Sequence, residues 1–155
     1  MMILRKTSLL VLAILVCLVP AAFGAETAPS KTTLFVDAPW VKENASKLIL
    51  IDARASTLYA KGHIPGAVNR PYTADLAEDG QFRPIDQLAA EYARLIPAKQ
   101  APVIVHCRTG QQASQAWFLL TRLLGYENVR WYDGSWTDWA ARPDKPVATG
   151  KISPG

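Results

Sequence analysis

Val103-Ile104-Val105-His106-Cys107-Arg108-Thr109-Gly110-Gln111-Gln112-Ala113-Ser114 changes its pattern twice within a short span. Its first three residues are apolar and β-branched, the pattern of a strand buried on both faces of a parallel sheet. From Ala113 onward, Ala113, Ala116, Trp117, Leu120 and Leu124 fall on one helical face, which Gly125 ends. Cys107 stands between them, at the carboxyl end of the strand, and Gly110 lets the chain turn tightly into the helix. Strand, short loop and helix in that order predict an α/β chain.

The flanking sequence repeats the alternation. Leu34-Phe35-Val36 predicts a short first strand, and Asp37 a cap for a helix with Pro39 in its first turn, running to about Lys47. Leu48 to Ile51 is an aliphatic run ending at Asp52, expected as a central parallel strand. A loop containing Gly62, Pro65 and Gly66 follows, then a brief strand over Ala67 to Asn69. Ile85, Leu88, Ala89, Tyr92, Leu95 and Ile96 keep helical spacing between Pro84 and Pro97. Asn128 to Tyr132 predicts the last strand and Trp136 to Ala141 a short helix. The tail from Pro143 to Gly155 is proline-rich, poor in apolar residues and expected to be loose. Strands alternating with helices across short loops imply a parallel sheet covered on both sides.

The N-terminus is read separately. Arg5 and Lys6 precede an apolar run from Leu9 to Val19, then Pro20 and small residues. That order describes a secretory signal peptide, residues 1–24, with cleavage expected after Gly24. The run is shorter than the roughly 20 residues of a membrane-spanning helix, so no stable membrane insertion is expected once the signal is cut. An uncleaved anchor is the alternative. Ile14-Leu15-Val16 lacks the small residues that precede a lipidated cysteine, which weakens a lipoprotein reading of Cys17. Residues 25–32 are expected to be a flexible lead-in. The domain proper is placed at residues 33–142, and export to the periplasm is the expected localisation.

The 155 residues are 50% hydrophobic and 19% charged, enough for one core and too few for two full domains. Removing the signal lowers Lys plus Arg from 17 to 15 against 13 acidic residues, so the charge of +4 falls to about +2. No basic cluster with interleaved aromatics is present, and nucleic-acid binding has little support. With Cys17 gone, Cys107 is the single thiol expected in the mature chain, which excludes an intramolecular disulfide. Two histidines and one cysteine, unclustered in sequence, do not make a metal site, and nothing points to a cofactor.

Ligands of open parallel sheets bind beyond the carboxyl ends of the strands. Arg108, Thr109, Gly110, Gln111 and Gln112 can curl so that successive backbone N–H groups point inward. Such a cradle binds an anion and favours a thiolate, helped by the helix N-terminus and by the Arg108 charge. Asp52 and Arg54 are read chiefly as an ion pair tying a strand end to its loop, with a catalytic role second. His63 is read as structural, in a turn fixed by Gly and Pro. His106 precedes Cys107 on a strand, so their side chains point to opposite faces, which counts against a Cys–His protease. Trp131, Trp136 and Trp139 are read as core and rim packing.

At these residues the chain resembles the rhodanese family. Cys107-Arg108-Thr109-Gly110-Gln111-Gln112-Ala113-Ser114 is similar to its active-site loop, and Leu50-Ile51-Asp52-Ala53-Arg54 to its first motif. Gly62-His63-Ile64-Pro65-Gly66-Ala67-Val68-Asn69 matches its loop signature almost letter for letter. Tyr132-Asp133-Gly134-Ser135-Trp136, followed by Trp139, is similar to the closing motif of thiosulfate sulfurtransferases. The resemblance implies a rhodanese-like α/β fold, a central parallel sheet of about five strands with helices on both faces. It implies that Cys107 takes sulfur from a small anionic donor such as thiosulfate, as a persulfide, and passes it to cyanide or a thiol. A protein sulfur acceptor is a further partner it allows. Two positions depart from the thiosulfate specialists: Thr109 stands where they usually carry Lys, and Leu58 where they often carry Arg. Both departures point away from thiosulfate as the best donor.

Three other functions compete with this reading. A cysteine phosphatase or arsenate reductase needs a longer loop, or an arginine six residues after the cysteine, where this chain has Ala113. A persulfide carrier would use the same Cys107 without rapid turnover. A regulatory rhodanese-like module often lacks the cysteine that is present here.

Overall fold

The computed structural model describes residues 34–150; the expected signal peptide and lead-in, with Cys17, lie outside them. The strands are β1 (Ile49–Asp52), β2 (Val68–Asn69), β3 (Val103–His106) and β4 (Val129–Trp131). They form one sheet in the order β2-β1-β3-β4, every pair parallel. The α-helices are α1 (Ala38–Asn44), α2 (Ser56–Lys61), α3 (Ile85–Leu95), α4 (Gln111–Phe118) and α5 (Ser135–Ala140). Helix α4 continues as a π-helical turn over Leu119–Leu123.

Alternation along the central strands divides the core into two layers. Ile51, Val103 and Val105 face one side, where Leu88 and Tyr92 of α3 and Ala113 and Ala116 of α4 cover them. Leu50 and Ile104 face the other, against Val41 of α1, Tyr59 of α2 and Trp139 of α5. Ile51 and Ile104 are fully buried, and truncating such a side chain to Ala costs about 2–5 kcal/mol. Cys107 continues the parity of Val103 and Val105 and belongs to the first layer.

The expected capping is present. Asp37 Oδ1 accepts the Trp40 N–H at 2.9 Å, Pro84 precedes α3, and Gly125 takes a φ of +69° beyond the π turn.

Four local expectations are corrected. The strand expected at Leu34-Phe35-Val36 is a single parallel bridge, Phe35 to Trp131, so the sheet has four strands and one bridging residue at its edge. Asp37 caps α1 so soon afterwards that too little chain remains to pair further. The first helix ends at Asn44, and a 3₁₀ turn carries the chain over Ala45–Lys47. The loop before Gly62 contains α2, with Tyr59 buried beneath it. Finally, the segment from Pro143 to Gly150 is tied down. His63 and Ala148 exchange two backbone hydrogen bonds of 2.9 Å, Gly150 N–H donates to Ala60 O, and Trp139 Nε1 donates to Pro146 O.

Candidate active site

Cys107 follows β3 directly and is fully buried. The backbone on each side of it is pinned to the start of α5. Its N–H donates to Ser135 Oγ at 3.1 Å, and its carbonyl accepts the Trp136 N–H at 3.0 Å. The Arg108 carbonyl accepts both the Thr137 N–H at 3.0 Å and the Thr137 hydroxyl at 2.9 Å. Ser135 Oγ donates in turn to Tyr132 O at 2.8 Å. Ser135 holds this position with a φ of +53°, the single positive value at a non-glycine residue among the described residues.

The loop then turns at Gly110, whose φ is +91°. A Cβ there would lie 2.6 Å from Asp133 O and closer still to Asp133 Oδ1, so only glycine fits. Within the described residues, the N–H groups of Arg108, Thr109, Gly110, Gln111 and Gln112 donate to no other group of the chain. The side chains of Thr109, Gln111 and Gln112 likewise make no hydrogen bond there, so this stretch offers main-chain N–H groups and one cation, Arg108. These free amides lie at the N-terminus of α4, the setting in which the sequence leads one to expect an anion cradle.

Asp52 and Arg54 form the expected buried pair. Arg54 Nε donates to both carboxylate oxygens at 2.9 and 3.0 Å, and Nη2 reaches Gly62 O at 2.8 Å. The Arg54 guanidinium also lies over the Trp136 ring, 4.4 Å from its centroid. Asn69 Nδ2 donates to the carbonyls of Asp52 and Arg54, joining the end of β2 to the same corner. The pair therefore links strand, α2 loop and α5, and among the described residues neither side chain hydrogen-bonds Cys107.

His106 pairs in register with Asp52, on the face of β3 opposite Cys107. Its Nε2 is 3.7 Å from Asp52 Oδ2 with no hydrogen-bond partner, and its Nδ1 is 3.2 Å from Cys107 O. Complete burial holds its pKa below the ordinary histidine value, against the opposing pull of Asp52, so the ring is neutral at pH 7. His63 stacks on Tyr59 with 3.8 Å between centroids and binds Tyr59 O through Nδ1 at 3.0 Å, a structural role. Trp139 is buried in the core. Among the described residues no three His, Cys, Asp or Glu side chains converge on a possible metal position.

A cavity of about 390 Å³ opens beside the loop, lined by Arg54, Leu58, Lys61, Gly62, Arg108 and Trp136. The sequence pointed to Arg54 and Arg108. It did not single out Lys61 as a site residue, because α2 read as loop, nor the Ser135 and Thr137 anchors. Their signal was present in the closing motif, but a backbone clamp made by a hydroxyl leaves no periodicity.

The described residues thus form an α/β domain with a cysteine at a strand end, heading a loop of free amides. The family profile of the rhodanese-like domain matches residues 37–142. The chain belongs to the rhodanese-like family. It is 38% identical over 125 residues to a putative thiosulfate sulfurtransferase of Haloferax volcanii, covering 81% of this chain and 44% of that protein. It is 42% identical over 90 residues to the sulfur carrier protein TtuD of Thermus thermophilus, covering 58% of this chain and 32% of that one. The chain thus spans less than half the length of these relatives. Among solved structures, EanB bearing a cysteine persulfide, with ergothioneine, matches with a TM-score of 0.72 and 25% identity over 79% of this chain and 34% of that one.

Proposed function

We propose that the protein is a sulfurtransferase that moves sulfane sulfur from thiosulfate or a related donor to cyanide or a thiol, through a persulfide on Cys107. The observation that carries this reading is the placement of Cys107 at the head of a loop whose amides are left free. In the first half-reaction Cys107 Sγ, as thiolate, bonds to the outer sulfur of the donor. The donor's S–S bond breaks and its electron pair leaves with the inner group, sulfite when the donor is thiosulfate. In the second, the acceptor takes the outer sulfur and the Cys107 thiolate returns. The loop N–H groups stabilise the negative charge on the bound sulfur in both steps. Because Cys107 is fully buried, contact with a donor requires the loop side chains to shift, and Arg108, Thr109 and Gln111 are exposed.

The relative named as a sulfur carrier supports a second reading, delivery of the persulfide sulfur to a protein partner. Steady-state assay with thiosulfate and cyanide separates the two. Parallel double-reciprocal lines at substantial turnover support the enzyme; stoichiometric loading with negligible turnover supports the carrier. Export with removal of residues 1–24 is part of the proposal, and N-terminal sequencing of the protein from its native cell tests it.

A further inference from the structure

Helix α5 takes up two successive carbonyls at the nucleophile. Cys107 O accepts the Trp136 N–H at 3.0 Å, and Arg108 O accepts the Thr137 N–H at 3.0 Å. A trans peptide is planar, so its N–H points opposite to its C=O. The amides that follow these carbonyls, those of Arg108 and Thr109, are therefore both turned away from α5. Neither donates to another group of the described residues. Successive N–H groups turned the same way suit an anion. The core layers show which side of the sheet each partner occupies. Trp139 of α5 lies with Leu50 and Ile104, whereas Cys107 lies in the opposite layer with Val103, Val105 and Ala113.

Thr137 holds its carbonyl twice. Its hydroxyl also donates to Arg108 O, at 2.9 Å, so one residue fills both lone pairs of that oxygen and fixes the plane of the Arg108–Thr109 peptide. Thr137 is exposed, where water would satisfy a hydroxyl, so burial does not demand this bond. We propose that Thr137 is a positioning residue for sulfur transfer. Its hydroxyl sets the Arg108–Thr109 peptide so that the Thr109 N–H donates to the charged outer sulfur of a Cys107 persulfide. This rests on the sulfur-transfer reading above and names the residue that aims the amide.

The amide proton resonance of Thr109, read before and after Cys107 gains sulfur, tests it in the wild type, Thr137→Val and Thr137→Ser. The donor is whichever of thiosulfate, polysulfide and a thiol persulfide loads the wild type fastest. Loading should move the resonance downfield in the wild type and in Thr137→Ser, and by less in Thr137→Val. Thr137→Val keeps the backbone bond to Arg108 O and lies on the surface, so it should fold. Its rate of sulfur gain, read by mass, should drop about threefold to tenfold, the worth of one hydrogen bond, and Thr137→Ser should restore it. A Thr109 resonance that stays in place when the wild type loads overturns the proposal without help from any variant. So does loading of Thr137→Val at the wild-type rate, or a slowing that Thr137→Ser shares. Each of these leaves sulfur transfer at Cys107 standing. Failure of all three donors to load wild-type Cys107 overturns the sulfur-transfer reading and this one with it.

Discussion

Ser135 joins the nucleophile to the rest of the domain through one hydroxyl, which accepts the Cys107 N–H and donates to Tyr132 O. Removing it leaves a buried amide without a partner, a loss of about 1–3 kcal/mol. Ser135→Ala should therefore lower the denaturation free energy by that amount and slow Cys107 loading. Ser135→Gly loses the same hydrogen bonds but relaxes the φ of +53°, so it should be the more stable of the two in urea titration. His106 gives a residue-scale pH dependence. Its folded pKa lies below the unfolded value because burial disfavours the cation. Above about pH 6.5 the ring is neutral in both states and contributes nothing. As pH falls below that, the unfolded chain takes up the proton first, and stability is lost. Urea midpoints measured from pH 7 to pH 5 should fall, and the fall should be smaller in His106→Gln.

At the scale of elements, β1, β3 and α4 were legible because burial on two faces, or on one helical stripe, writes a periodic pattern. Helix α2 was not. It has six residues, one of them buried, and Ala55 before it offers no capping side chain, so neither periodicity nor a start signal marks it. The site shared that fate: the strand-end thiol and its tight turn could be read from Cys107 and Gly110, whereas Lys61 on the cavity wall became visible only once α2 formed. The first strand shrank to one bridge for the opposite reason, a strong cap at Asp37 too close behind it. Helix α3 is fastened to the segment before it by Arg70, Asp75, Arg83 and Glu91. Arg70 bridges Asp75 and Glu91 at 2.7 Å each, and Arg83 holds the other oxygen of Glu91. These arginines lower the Glu91 pKa to about 2 from 4.5. A depressed carboxylate contributes stability above its unfolded value and loses it as pH falls toward the folded one. Glu91→Gln should thus cost on the order of 1 kcal/mol at pH 7, after solvent screening, and nearly nothing at pH 2. Burial raises the Asp75 pKa instead, the opposite sign, so comparing wild type with Glu91→Gln isolates the Glu91 contribution.

Across the whole molecule, the parallel sheet places Cys107, Asp52 and Asn69 at the carboxyl ends of three adjacent strands. Residues 143–150 run against the α2 loop. Composition made it look loose, since prolines and polar residues carry no pattern of burial, yet its backbone pairs with His63 and Ala60. Ending the chain after Arg142 removes these bonds, the Pro146 acceptor of Trp139 and the Lys42–Asp144 pair. The expected loss is about 2 kcal/mol, measurable as a lower denaturant midpoint, with a weaker hold on the Gly62 side of the cavity. The most direct measurement is intact mass spectrometry of the full chain after exposure to thiosulfate, polysulfide and a thiol persulfide. The account predicts a gain of one sulfur atom from at least one donor, removed by cyanide and absent in Cys107→Ser. No gain from any of the three, or the same gain in Cys107→Ser, would contradict it.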